Sequence, residues 1–117
     1  MNIEEIREYC LSKKGTNEDF PFDETTLVFK VMDKIFVLTD LTGDLSLNLK
    51  CDPTWAIELR EQYPAILAGY HMSKKHWNTV KIDGTLSNSF IFRLIDHSYD
   101  LVVKKLPQKI QIELTKL

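Results

Sequence analysis

Apolar and polar positions change their spacing several times along this chain, and each change marks a new element. Ile3, Ile6, Tyr9 and Cys10 recur every three to four residues, which predicts an amphipathic helix over roughly 2–13. Asn2 is positioned to cap it, Glu5 follows as the capping-box partner, and Gly15 supplies a stop. Glu4, Glu5 and Glu8 lie off the apolar stripe, where acidic side chains answer the positive end of the helix dipole. The spacing then falls to two. Asp19-Phe20-Pro21-Phe22 reads as a short edge strand, because Pro21 has no N–H to give a central ladder. Thr26 to Met32 and Ile35 to Asp40 alternate, and the Asp33-Lys34 link between them predicts a tight hairpin. Thr42-Gly43-Asp44 turns the chain again. Leu45, Leu47 and Leu49 alternate with Ser46, Asn48 and Lys50, completing a three-stranded antiparallel meander with one face toward a core.

Asp52-Pro53 predicts a helix start, with an aspartate cap and proline at the first helical position. That helix runs to about Tyr63 and stops before Pro64, with Trp55, Ala56 and Leu59 inward. Ala65 to Tyr70 reads as a connection containing Gly69. Ser73 begins a short turn through Lys75, and His76 to Ile82 alternates as a strand. Trp77, Thr79 and Lys81 share one face of it, and Asn78, Val80 and Ile82 the other. After the Asp83-Gly84 turn, Ser87 caps a long helix whose stripe is Ile91, Leu94, Ile95, Ser98, Tyr99, Val102 and Leu106, and Pro107 ends it. Ile110, Ile112 and Leu114 alternate, which allows a final strand. The order of elements predicts an α+β two-layer sandwich, with helices packed on one face of an antiparallel sheet, in a single domain over 1–117.

Composition narrows the function classes. The chain has 44% apolar and 27% charged residues, as a soluble domain with its own core does. No apolar run approaches the ~18 residues that span a membrane. Met1-Asn2-Ile3-Glu4-Glu5 lacks the basic and apolar regions of a secretory signal, so the expected location is the cytoplasm and no membrane partner is expected. Cys10 and Cys51 have no short spacing and read as reduced, mostly buried thiols. The formal net charge of −2 argues against a strong non-specific grip on nucleic acid. It is uneven, however. Residues 1–50 carry six basic and ten acidic side chains, whereas residues 51–117 carry nine and seven.

The chemistry-bearing residues concentrate in Tyr70-His71-Met72-Ser73-Lys74-Lys75-His76-Trp77-Asn78-Thr79-Val80. His71 and His76 are five apart, which suits neither one helix face nor one strand face as a metal pair, and no cysteine or acid lies nearby to complete a site. Ser73 sits in no nucleophile elbow, and the four glycines form no phosphate loop. Asp96 and Asp100 read as a solvated helix face. No catalytic residue, metal or cofactor is therefore expected. Lysines interleaved with an aromatic and an amide do suit a nucleic-acid surface: lysines neutralise phosphates, and an indole can stack on a base. The candidate set is Lys74, Lys75, His76, Trp77, Asn78 and Lys81, with Lys30 and Lys50 as extensions. The plainer alternative makes Trp77 a core residue and His76 a partner for the backbone.

Several segments together resemble the MmcQ/YjbR family of small bacterial proteins. They are Phe20-Pro21-Phe22, Leu27-Val28-Phe29-Lys30-Val31 with Lys34-Ile35-Phe36, Leu49-Lys50-Cys51-Asp52-Pro53, the stretch Gly69 to Val80, Asp83-Gly84, and Asp96-His97-Ser98-Tyr99-Asp100-Leu101-Val102. The resemblance implies a CyaY-like fold similar to that of frataxin, a sheet with two helices on one side, to which 53–63 adds a helix. It also implies DNA binding through a double-wing arrangement of strands and loops. Fold likeness alone does not establish function. Iron binding of the frataxin kind transfers poorly, since Glu4, Glu5 and Glu8 make no dense acidic ridge. The leading expectation is thus a non-catalytic module that binds DNA. The second is a protein-interaction or small-ligand module using a cleft near His71, His76 and Tyr99.

Overall fold

Six strands form one antiparallel sheet, and the helices leave one of its faces open. The computed structural model describes residues 1–69 and 72–117. In chain order the elements are α1 (Ile3–Leu11), β1 (Thr16–Asp19), β2 (Thr26–Val31), β3 (Lys34–Asp40), β4 (Ser46–Lys50), α2 (Pro53–Gln62), β5 (Ile66–Ala68), β6 (Trp77–Lys81), α3 (Asn88–Lys105) and α4 (Gln108–Thr115). The sheet order is β1-β2-β3-β4-β6-β5. This is the expected α+β architecture.

The helix caps fall where the sequence places them. Asn2 accepts the Glu5 N–H at 2.9 Å, Asp52 accepts those of Thr54 and Trp55, and Ser87 accepts that of Phe90. Leu27 and Phe29 of β2, Val37 of β3, Leu47 and Leu49 of β4 and Val80 of β6 meet Ile6 and Cys10 of α1 and Ile91, Leu94 and Ile95 of α3 in one core. The two helices are joined directly. The Tyr9 ring stacks on Phe92 with centroids 4.0 Å apart, and its hydroxyl donates to Asp96 at 2.6 Å.

Four details differ from the expectation. The edge strand is Thr16–Asp19, upstream of Pro21, and its register runs Thr16↔Val31 to Asp19↔Val28. Its side chains are all polar and so show no alternation. Arg7–Glu18 and Lys30–Asp19 ion pairs hold it instead. Second, the hairpin turn is Met32-Asp33, not Asp33-Lys34, and both residues take the left-handed φ, 47° and 70°, that a two-residue turn requires. Third, the connection after α2 contains a strand, Ile66–Ala68, on the sheet edge. Fourth, the tail is a helix rather than a strand. Ile110 and Leu114 are also four apart, so the same residues satisfy a helical stripe. Lys109, Gln111 and Glu113 beside them favour a helix, and Leu114 packs onto Gly15, where a Cβ would lie 2.5 Å from it.

A buried hydroxyl ties α3 to two strands at once. The register of β2 and β3 shifts after Phe29, pairing Phe29 with Val37 and Lys30 with Ile35, so Phe36 is an extra residue. The buried Ser98 hydroxyl of α3 donates to the Phe36 carbonyl at 2.6 Å and accepts the Lys50 N–H at 2.9 Å. It thereby spans two neighbouring strands. Ser98→Ala removes the bridge and leaves two backbone groups without partners, so stability falls by about 1–3 kcal/mol. The expected readout is a lower urea midpoint with an unchanged slope; an unchanged midpoint would show that water replaces the hydroxyl.

Candidate nucleic-acid interface

The turn before β6 is built to present lysines. The Ser73 carbonyl accepts the N–H groups of His76 at 3.1 Å and Trp77 at 2.9 Å, closing the turn. Arg60, in the last turn of α2, donates to the Lys74 carbonyl at 2.8 Å and to the Asn78 side-chain oxygen at 3.3 Å. The backbone is pinned while the Lys74 and Lys75 side chains remain exposed. The carbonyl of the half-buried His76 accepts the Cys51 N–H at 2.8 Å, which ties the turn to the end of β4.

The six candidate residues do not all gather. Trp77 is half-buried and pairs with Lys50 across β4 and β6. It is not among the side chains packed into the helix-side core. It stands on the open face. Asn78 points the other way. It is 2% exposed, its amide donates to the Ala56 carbonyl at 3.4 Å, and its oxygen serves Arg60. Its job is to hold α2 and the turn, and it offers nothing to a ligand. Lys81 lies at the far end of β6, four residues or roughly 13 Å from Trp77, opposite Ser46 and near Asp83. Lys30 is held by Asp19. Lys50, by contrast, lies against the group. His71 is outside the described residues.

The antiparallel registers sort charge between the two ends of the sheet. One end carries Lys34, Lys50, Lys74 and Lys75, with Lys105 of α3 lining a cleft with Lys34 and Lys50. The other end carries Asp23, Glu24, Asp40, Asp44 and Asp83, with Lys81 among them. The whole-chain charge of −2 therefore conceals a basic end. None of Lys34, Lys50, Lys74, Lys75 or Lys105 has an ion-pair partner among the described residues.

The open face also holds a groove of about 700 Å³. Thr26, Leu38, Ser46 and Asn48 form part of its floor, and Phe22, Leu67 and Met72 part of its rim. The groove does not involve Tyr99. The Tyr99 hydroxyl donates to the Lys14 carbonyl at 2.7 Å and its ring packs edge-on against Phe36. Neither His76 nor Tyr99 is among the residues that line this groove. Among the described residues no three His, Cys, Asp or Glu side chains cluster as a metal site needs. Cys10 and Cys51 are buried free thiols, and burial pushes them up to about 12 and about 11, so neither is a thiolate near neutrality.

Sequence reasoning passed over His97. Its Nε2 accepts the Asp52 N–H at 3.0 Å, and its ring meets Trp55 edge-on at 4.7 Å. Burial lowers its pKa below the ordinary 6.5, opposed by the Asp52 and Asp100 carboxylates. Protonation would replace the acceptor with a second donor. A base depressed in the folded state takes its proton later than in the unfolded chain, so its contribution is full above pH ~6.5 and shrinks as pH falls toward the folded value. The melting temperature should drop between pH 7 and 5, and His97→Gln, which keeps an acceptor without titrating, should flatten that slope. Parallel profiles for the two proteins would remove His97 as the cause.

The YjbR family model matches residues 11–101. An uncharacterised protein, YjbR, of Escherichia coli K12 is 34% identical over 110 residues, covering 93% of each chain. An uncharacterised protein, YbdF, of Escherichia coli O157:H7 is 40% identical over 93 residues, covering 79% of this chain and 76% of that one. The crystal structure of a Deinococcus radiodurans protein with a DUF419 domain superposes with a TM-score of 0.91 at 42% identity, covering 97% of this chain and 88% of that one.

Proposed function

The chain belongs to the YjbR family, and we propose that it is a non-catalytic nucleic-acid-binding module whose partner is DNA. The observation that carries this reading is Trp77. Its indole stands on the helix-free face, next to Lys50, at the end of the sheet where Lys74 and Lys75 are exposed and unpaired. Ammonium groups beside an accessible aromatic ring are what a nucleic-acid strand requires: the lysines take phosphates and release counterions, and the indole stacks on a base. His76, half-buried in the same turn, supplies a ring nitrogen near that backbone. The acidic far end repels phosphate, so the strand is confined to one end of the domain. Lys81, beside Asp83, contributes little.

The test is fluorescence anisotropy with duplex and single-stranded DNA over a salt series. Each phosphate contact adds about −0.9 to the log–log salt slope on duplex and about −0.7 on single strands. Lys74→Ala/Lys75→Ala should weaken binding and make that slope shallower by about 1.4–1.8, whereas Lys81→Ala should leave it unchanged. No binding at low salt sinks the proposal, and an unchanged slope in the double variant removes the site.

The groove favours a second reading, a small-ligand or peptide module that uses the open face. Its floor mixes hydroxyls, an amide and apolar side chains, with Asp40 and Asp44 at one side, as ligand sites do. A ligand seated there should shift the amide resonances of Leu38, Asn48 and Leu67 in a titration and leave those of Lys74 and Lys75 unmoved. The opposite pattern would return the weight to the basic turn.

A further inference from the structure

Lys34 begins β3, Lys50 ends β4, and Lys105 lies in the last turn of α3. Together they line a cleft of about 210 Å³ whose remaining walls are Ile35, Val102 and Leu106. Three lysines from separate elements line one small space. Lys50 is half-buried, and Lys105 is close enough that its charge adds to burial in lowering the Lys50 pKa. No carboxylate pairs with any of the three among the described residues. Asp33, next to Lys34 in sequence, makes no ion pair, and Asp52 is committed to capping α2.

The helix dipole explains only part of this. Lys104 and Lys105 answer the negative end of α3. It does not explain why Lys50 lies close to Lys105, against their mutual repulsion, in a partly desolvated cleft that Lys34 also lines. Like charges held together without a counterion are stabilised by an anion between them, and lysines serve as point-charge phosphate binders. A dianion matches three cations better than a carboxylate does.

We propose that this cleft binds a phosphate monoester, with Lys34, Lys50 and Lys105 around the phosphate and Ile35, Val102 and Leu106 against the group it carries. The cleft shares Lys50 with the DNA surface proposed above, but the proposal does not rest on that reading, since a free phosphorylated small molecule and the 5′-phosphate at a strand end present the same chemistry.

The experiment titrates the full chain with inorganic phosphate, with ribose 5-phosphate, and with one oligonucleotide in 5′-phosphorylated and 5′-hydroxyl forms, following amide shifts and anisotropy. Inorganic phosphate should shift the amides of Ile35, Lys50 and Lys105 saturably, and Lys34→Ala/Lys105→Ala should weaken this by about tenfold or more. The melting curve of that variant checks its fold, and Lys105→Gln is the milder substitute if it fails to fold. Tighter binding of the 5′-phosphorylated strand than of the 5′-hydroxyl strand, lost in the variant, assigns the cleft to strand ends. Equal binding of the two strands, with ribose 5-phosphate bound in the cleft, assigns it to a free ligand. Phosphate binding without any binding of either oligonucleotide supports the cleft and overturns only the DNA reading. No saturable phosphate shift, or a shift unaltered in the variants, overturns the proposal.

Discussion

Three consecutive backbone N–H groups, at Lys50, Cys51 and Asp52, leave the sheet where β4 ends, and each must find an acceptor. Only Cys51 finds it by extending the β4–β6 register; the other two rely on side chains of α3. Lys50 donates to the Ser98 hydroxyl, Cys51 to the His76 carbonyl, and Asp52 to His97 Nε2. The acceptors come from α3 and from the turn before β6. One short segment is thus the point where the sheet, the long helix, α2 and the lysine-bearing turn are held together. Ser98 is engaged twice, because the extra residue at Phe36 leaves that carbonyl in need of a donor as well.

The electrostatics follow from this junction. Ending β4 at Lys50 brings that side chain to the edge of the sheet, next to Trp77 on one side and toward Lys105 on the other. Binding Cys51 to His76 draws the Lys74-Lys75 turn to the same edge. Turns at the opposite end are closed by aspartates that accept their own local N–H and hydroxyl groups: Asp23 with Thr25 and Thr26, Asp40 with Thr42, and Asp83 with Thr85. These hydrogen bonds lower the aspartate pKa values, so the acidic end stays charged. The separation of charge is a by-product of turn chemistry at one end and strand termination at the other. A net charge cannot report it.

Much of the architecture could be read from the chain because cap, period and turn signals agreed. Asn2, Asp52 and Ser87 each cap as their position predicts, and the β2–β4 meander follows its alternation. Three elements could not be read. Thr16–Asp19 has no apolar alternation, because ion pairs hold it. Ile66–Ala68 is three residues long and pairs with a strand that starts nine residues later. The tail residues fit period two and a four-residue repeat equally well. The site was readable only in part. Lys74 and Lys75 are exposed in the turn that leads into Trp77, but face and distance along a strand separate Asn78 and Lys81 from Trp77. Ser98 and His97 act on residues 48 and 45 positions away, and no local pattern reveals such partners. The segments Leu49 to Pro53 and Asp96 to Val102, which stand far apart in the chain, meet at this junction.

The polarity of the domain also limits what kind of binder it can be. An evenly basic surface gathers phosphates along its whole length and binds any sequence tightly at low salt. Here about four or five lysines occupy one end and a similar number of carboxylates the other, so the attractive field is short and directional. A phosphate-bearing ligand would be drawn to the basic end and repelled from the aspartate end, which would set where on the sheet it sits. With few lysines in reach, discrimination by such a binder would rest on the uncharged groups between the two ends. On the open face these are Trp77, Asn48, Ser46 and Leu38. They are carried on central strands, whose backbones the Ser98 bridge and the ladders hold rigid. A rigid, mostly neutral platform between opposite charges orients a ligand more than it attracts one, and it draws its selectivity from shape and stacking rather than from net charge.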